Sequence, residues 1–252
     1  MKRVRIDPKL HAASSSWEGL LDFADVMPDG WSLAGGQMIY VHTQFHGAVL
    51  ARPSLDVDVV IDIRAHPDAA EEVFATLKRI GFQGTAPDPK NRVHRWLRGD
   101  AQIDVLQPRY LGEHAHKRLR RAGVETIGAP GAQHLLNRTE SFEVIFGARI
   151  QRLRVPNLMG AIASKAAAYS EILLDRAKRR HLVDVLTLVP LLSARELRAN
   201  PSWRRLERTR LKVVAAAVND SKTLDHLEAY FSDARRRFEL TARIADFYRD
   251  VP

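Results

Sequence analysis

Cysteine is absent from the 252 residues, which excludes disulfide frameworks, thiolate metal sites and catalytic thiols. No stretch approaches the ~20 consecutive apolar residues that a membrane-crossing helix requires, and no membrane partner is expected. The basic start Met1-Lys2-Arg3-Val4-Arg5 has no apolar segment behind it, because Asp7-Pro8-Lys9-Leu10-His11 stands where a secretory leader would be greasy. These absences predict a cytoplasmic protein in a reducing compartment. Acidic residues are the minority charge: 30 Asp and Glu against 39 Lys and Arg leave a formal charge of +9. An excess of that sign attracts nucleotides and nucleic acids before any specific contact forms. With 45% apolar and 27% charged residues, the composition is that of a folded globular chain.

What is present reads as two halves. A helix from Ser16 carries Leu20, Leu21 and Phe23 and stops before Pro28-Asp29-Gly30. Trp31 to Ala34 is a short strand, Gly35-Gly36 a turn, and Gln37 to Phe45 a helix. Val57 to Ile63 alternates as a strand does, and a helix follows from Asp68 to Ile80. Arg92 to Leu97 and Gln102 to Leu106 form two strands joined by the turn Arg98-Gly99-Asp100-Ala101, a hairpin. Past Pro156 helical periods take over. Asn157 caps one helix, Asp175 starts a second, and Ser193 with Glu196 forms a capping box for a third, with further helices opened by Asn219 and Ser232. The expected architecture is a mixed α/β domain over residues 1–155 and a helical domain over 156–252.

The segment Arg52-Pro53-Ser54-Leu55-Asp56-Val57-Asp58 carries the chemistry. Residues two apart on a strand share a face, so Asp56 and Asp58 point together while Val57, Val59 and Ile61 enter the core. Like charges this close need a cation between them, and divalent metal serves. Asp104 is the polar residue of Gln102-Ile103-Asp104-Val105-Leu106, and an adjacent strand would bring it to the same face as a third carboxylate. Magnesium is the usual oxygen-ligated partner of a triphosphate. Upstream, Gly35-Gly36 at a strand-to-helix turn lets backbone approach phosphate at a helix amino terminus.

The run Leu33-Ala34-Gly35-Gly36-Gln37-Met38, followed by His42, Arg52, Ser54, Asp56 and Asp58, resembles the AbiEii-type nucleotidyltransferases. These are toxins of the type IV toxin–antitoxin class within the DNA polymerase β superfamily, with a signature of G-G/S, a helix, then R-x-T/S-x-D-x-D. Lys165-Ala166-Ala167-Ala168 and Asp175 through Val185 are similar to the family's K-x-x-A and R-x-x-K-x-x-D/H-x-x-D stretches. Ser54 in place of Thr, and His181 where Asp often stands, depart from the pattern. The resemblance implies a polymerase-β-like mixed sheet flanked by helices, then a helical domain. It implies transfer of a nucleoside monophosphate from a nucleoside triphosphate, with Asp56 and Asp58 binding magnesium; Asp104, which rests on its strand position rather than on the family motif, would complete a two-metal site. Gly35, Gly36, Gln37, Arg52, Ser54 and Lys165 would contact the nucleotide, and Asp184 would orient Lys165. The 3′ end of tRNA is the implied acceptor and a cognate antitoxin the implied opponent.

Other signals are weaker. His42 and His46 share a helix face at i,i+4, but lack the intervening Glu and third ligand of a metal site, so packing or surface placement is expected. Basic clusters at His116 to Arg121, at Arg204, Arg205, Arg208, Arg210 and Lys212, and at Arg235 to Arg237 offer phosphate contacts to RNA. A small-molecule transferase of the antibiotic-modifying kind would share the triad without a basic path to it. A silent regulatory descendant of the fold would have its third aspartate displaced.

Overall fold

The computed structural model describes residues 1–7, 13–48, 50, 54–199 and 203–218. Two mixed sheets and flanking helices build it. The larger sheet runs β2 (Trp31–Ala34), β3 (Val57–Ile61), β6 (Ala101–Pro108), β5 (Arg95–Arg98) and β4 (Gln83–Gly84), with β7 (Ile127–Ala129) on the remaining part of β6. β3 and β6 are parallel, as are β6 and β7; the other neighbours are antiparallel. The smaller sheet places β8 (Thr139–Phe146) between a parallel β1 (Lys2–Ile6) and an antiparallel β9 (Arg149–Pro156).

Helices α1 (Ser14–Val26), α2 (Gly35–Phe45) and α3 (Ala69–Arg79) cover the strands. α1 buries Trp17, Leu20, Leu21 and Phe23, a stripe at helical spacing that packs on β6 and β9. On α3 the buried Val73, Phe74 and Leu77 form a comparable stripe, and Phe74 meets Trp96 of β5 edge-on at 4.9 Å between centroids. Between β6 and β7 the chain makes α4 (Glu113–Ala122), whose only buried residue is Leu119. The basic side chains of His116 to Arg121 are left on the outside of a thin surface helix.

After β9 the described chain is helical: α5 (Ala132–Leu136) precedes the hairpin, and α6 (Leu158–Glu171), α7 (Asp175–Leu188), α8 (Ala194–Ala199) and α9 (Arg205–Val218) follow it. The Asn157 side chain caps α6 by accepting from the Gly160 amide at 2.9 Å. The box at Ser193 forms reciprocally, with Glu196 N–H donating to Ser193 Oγ at 3.2 Å and Ser193 N–H to Glu196 Oε2 at 3.3 Å. α6 is buried along nearly its whole length, with α7, α9, α5 and α2 around it. One apolar core cluster runs through strands and helices alike.

Several features lie off the sequence expectation, among them β7, α4 and α9, which it does not contain. The pairs β1–β8 and β8–β9 occupy stretches in which no strand is predicted. Arg210, counted above among possible phosphate contacts, points inward on α9 to Glu171 Oε1 and to His134 Nε2. Its neighbour Glu207 is buried between His134 Nδ1 and Arg138 Nη2, each at 3.1 Å. Burial pushes the Glu207 carboxyl up, but hydrogen bonds from His134, Arg138 and the Arg204 amide outweigh it and hold the group at about 2. The helices expected from Asn219 and Ser232, and the Arg235 to Arg237 cluster, lie outside the described residues.

Candidate active site

Three strands converge to make the site. β2 and β3 pair with Ala34 opposite Asp58, and β3 and β6 pair with Asp58 opposite Asp104. Asp56 precedes β3 by one residue, on the side that Asp58 faces. One oxygen from each of Asp56, Asp58 and Asp104 lies within 4.8 Å of the others, the only group of three metal-capable side chains among the described residues. Asp56 is oriented by the Ser54 hydroxyl, which donates to Oδ1 at 2.6 Å.

The strand ending at Ala34 passes straight into α2 through Gly35, which has φ +63, a conformation that only glycine adopts without cost. A Cβ at Gly35 would collide with the Asp58 carboxylate, and one at Gly36 with the Ser54 side chain. The glycines are therefore set by close packing of the Ser54–Asp58 segment over the first turn of α2. No side chain caps that turn, whose amide protons have no partner within the helix and favour an anion.

The opposite wall comes from the helical half. Lys165 of α6 and Asp184 of α7 meet with Nζ to Oδ2 at 2.7 Å, their side chains only 7% and 3% exposed. Gly131 (φ +74) lets the start of α5 approach the Ser164 carbonyl and Ala167 with no Cβ in the way, which holds α6 and its Lys165 in place. A cleft of about 660 Å³ lies between the walls, lined by Gly35, Gly36, Ser54, Asp56, Asp58 and Lys165. Farther out it meets Ile127 to Pro130 of the β7 segment, then Arg109, Glu171, Arg180 and His181.

Most predicted site residues thus lie together. Gln37 does not line the cleft: it is 1% exposed, accepting from Trp17 Nε1 at 2.9 Å and donating to the Ser54 carbonyl at 2.7 Å. Its side-chain amide is spent on anchoring the segment that carries Ser54, so the side chain supports the cleft wall from behind. Arg52 lies outside the described residues. His42 is also a packing residue, with Nε2 against the Pro156 carbonyl at 3.0 Å and its ring edge-on to Phe142. Burial first, then the charge of Lys2, lowers it to about 3.

Sequence reasoning passes over several groups at the site. Arg95 of β5 lies directly opposite Asp104 in the antiparallel pair and clasps it, Nε to Oδ1 at 3.0 Å and Nη2 to Oδ2 at 2.8 Å. Gln102 lies alongside, and with its amide oxygen turned toward Arg95 it accepts from Nε and Nη2 at 3.1 Å each. The hydrogen bonds that Arg95 donates to Asp104 hold the guanidinium above its ordinary range against partial burial, and the charges of Asp104, Asp56 and Asp58 add to this. Counting back from the Arg98–Ala101 turn would have found the pair. Glu171 is a second omission: its Oε2 takes Arg109 Nη1 at 3.2 Å and Tyr110 OH at 3.0 Å, while Oε1 takes Arg210. No local motif announces it.

No protein-family model matches the sequence, and no curated protein matches it. Among solved structures, the chain is similar to an antigenic nucleotidyltransferase-like protein from Paracoccidioides brasiliensis, at 13% identity and a TM-score of 0.49, over 87% of this chain and 91% of that one. It is also similar to ANT(2″)-Ia in complex with adenylyl-2″-tobramycin, at 15% identity and a TM-score of 0.46, over 78% of this chain and 95% of that one. Likenesses this distant assign neither activity nor substrate.

Proposed function

We propose that the chain is a divalent-metal-dependent nucleotidyltransferase that moves a nucleoside monophosphate from a nucleoside triphosphate to an acceptor hydroxyl. The observation that carries this reading is the convergence of Asp56, Asp58 and Asp104 within 4.8 Å, beside a cleft that Asp56 and Asp58 line together with an uncapped helix amino terminus and Lys165. Three hard carboxylate donors suit magnesium or manganese. When bound, such an ion supplies charge neutralisation and Lewis acidity at phosphoryl oxygens.

The chain's own groups do the rest. On this reading the first-turn amides at Gly35 and Gly36 receive phosphate oxygens, with no side chain on either glycine to obstruct them, while the Ser54 hydroxyl, already donating to Asp56, holds that carboxylate in position. In the reaction the acceptor hydroxyl gives its proton to a carboxylate of the triad, its oxygen bonds to the α-phosphorus as the bond from that phosphorus to the bridging oxygen of the β-phosphate breaks, and pyrophosphate leaves with the electron pair. Lys165, oriented by Asp184, offers a positive charge to the phosphates as negative charge gathers on the leaving group.

The acceptor follows from the family resemblance and from charge. The outer cleft presents Arg109 and Arg180, and its single extra carboxylate, Glu171, is already engaged by Arg109 and Arg210. An anionic acceptor fits better there than a polycationic aminoglycoside, which supports an RNA end, the 3′ end of tRNA in an AbiEii-type toxin opposed by an antitoxin. The test is incubation of purified protein with each α-labelled nucleoside triphosphate, magnesium and total RNA, beside parallel reactions with aminoglycosides. Label should enter RNA from at least one nucleotide, and Asp58→Ala should abolish it with melting temperature unchanged or raised, as carboxylate repulsion is relieved. Transfer to aminoglycoside alone would replace the acceptor, and transfer by Asp58→Ala at the wild-type rate would refute the metal site.

A further inference from the structure

Arg95 is the cation already sitting on the triad. Its fork takes both oxygens of Asp104, and its described side-chain hydrogen bonds all run to β6, through Asp104 and Gln102. A guanidinium whose purpose was to strap the fold together would reach a distant element, as Arg98 does to Asp22 of α1. β5 and β6 are already joined by their backbone ladder, so the clasp adds little to the architecture. Its effect falls on the carboxylates. The Arg95 side chain is 41% exposed whereas that of Asp104 is 9% exposed, so the arginine can withdraw into solvent without opening the core while the aspartate stays in place.

We propose that Arg95 is a built-in counter-cation of the Asp56–Asp58–Asp104 triad, competing with divalent metal for Asp104 and thereby setting how tightly metal is held. The inference rests on the metal-dependent reading above and makes Arg95 a positioning residue. In the free protein the fork keeps Asp104 extended toward its two partners and offsets part of their mutual repulsion. As an ion binds, a second positive charge arrives at the same carboxylate, and repulsion between the two cations opposes it. The device makes the triad weakly avid by itself, so metal is held firmly only when the phosphates of a nucleotide bring further oxygen ligands and negative charge.

The test is calorimetric or electron-paramagnetic titration of manganese into the full chain without nucleotide, for wild type, Arg95→Gln, Arg95→Lys, Asp104→Asn and the double variant Arg95→Gln/Asp104→Asn. Arg95→Gln should bind manganese roughly tenfold tighter, about 1.4 kcal/mol, whereas Arg95→Lys, which keeps the charge and loses the fork, should stay nearer wild type. The gain should largely vanish in the double variant, because it acts through Asp104. Adding a non-hydrolysable nucleoside triphosphate should tighten wild type more than Arg95→Gln. Circular dichroism verifies the fold of each variant, and Arg95→Lys reports the charge effect even if Arg95→Gln proves unstable, since a lysine weaker than wild type would point to orientation alone. Equal or weaker manganese binding by Arg95→Gln, with wild type binding, overturns the proposal and leaves Arg95 an orienting strut. Absence of binding in every variant instead overturns the metal-dependent reading, and this proposal with it.

Discussion

Breaking the Lys165–Asp184 pair separates what the pair does for the fold from what it does for the reaction. Both side chains are over nine-tenths buried and their charged atoms are 2.7 Å apart. Removing one partner strands the other charge in a low-dielectric interior, and such losses run to ~3–5 kcal/mol. For a chain of this length each kcal/mol moves the melting temperature by about 2–4 °C, so Lys165→Met or Asp184→Ala alone should melt roughly 6–20 °C lower. The double variant Lys165→Met/Asp184→Asn leaves no buried charge at this pair and should recover most of that loss. Activity should follow another rule. If Lys165 serves the leaving group, Lys165→Met and the double variant should both lose about two orders of magnitude or more in kcat, the scale for one preorganised electrostatic contact. Differential scanning calorimetry beside single-turnover transfer reads both quantities. A double variant that regains activity along with stability would refute the catalytic role, and a single variant that melts like wild type would refute the energetic argument.

Three other outcomes are expected. Gly35→Ala should cost about 1–2 kcal/mol for its left-handed backbone alone, and more because its methyl meets the Asp58 carboxylate; a calorimetric scan showing no loss would contradict the close approach. His42 is held neutral to about 3 against an ordinary 6.5, so below pH 6.5 the unfolded chain takes up a proton that the folded chain refuses. Stability from this group is complete above that pH and falls as pH drops toward 3, by up to ~1.4 kcal/mol per pH unit; denaturant melts of His42→Gln should show a flatter dependence, and an unchanged slope would remove the assignment. Neutralising Lys117, Arg118 and Arg121 on α4 should weaken RNA binding and reduce its salt slope by about one per lost phosphate contact, and an unchanged slope in filter binding would return these side chains to plain solvation.

Local and periodic features were legible in the sequence, and contacts between distant segments were not. The alternation around Asp58 and Asp104 was enough to put both on one face of neighbouring strands, and the caps at Asn157 and Ser193 marked helix starts that the structure has. Lys165 and Asp184 entered by family resemblance, since nothing about a lysine in an alanine-rich helix announces a buried partner. The β8–β9 hairpin could have been read: Phe142, Val144 and Phe146 are buried at period two, ahead of Gly147. The burial of the Gln37 side chain was not legible, because its partners, Trp17 and the Ser54 carbonyl, lie in segments that only tertiary packing brings to it. The outer cleft, from Ile127 to Pro130 and Glu171, has no local signal, since tertiary packing alone brings these segments to the triad.

The close approach at Gly35 also ties two positions together over evolutionary time. The Asp58 carboxylate occupies the volume that a side chain at position 35 would need. While the aspartate is required, glycine is required with it. Once a lineage gives up the chemistry and position 58 shortens, the constraint at position 35 relaxes, and residues that tolerate the left-handed region, asparagine foremost, become admissible there. Relatives of this chain that have gone silent should therefore be recognisable by a linked change at both positions, and a lineage with a side chain at 35 and the aspartate intact at 58 should be rare or repacked around Ser54.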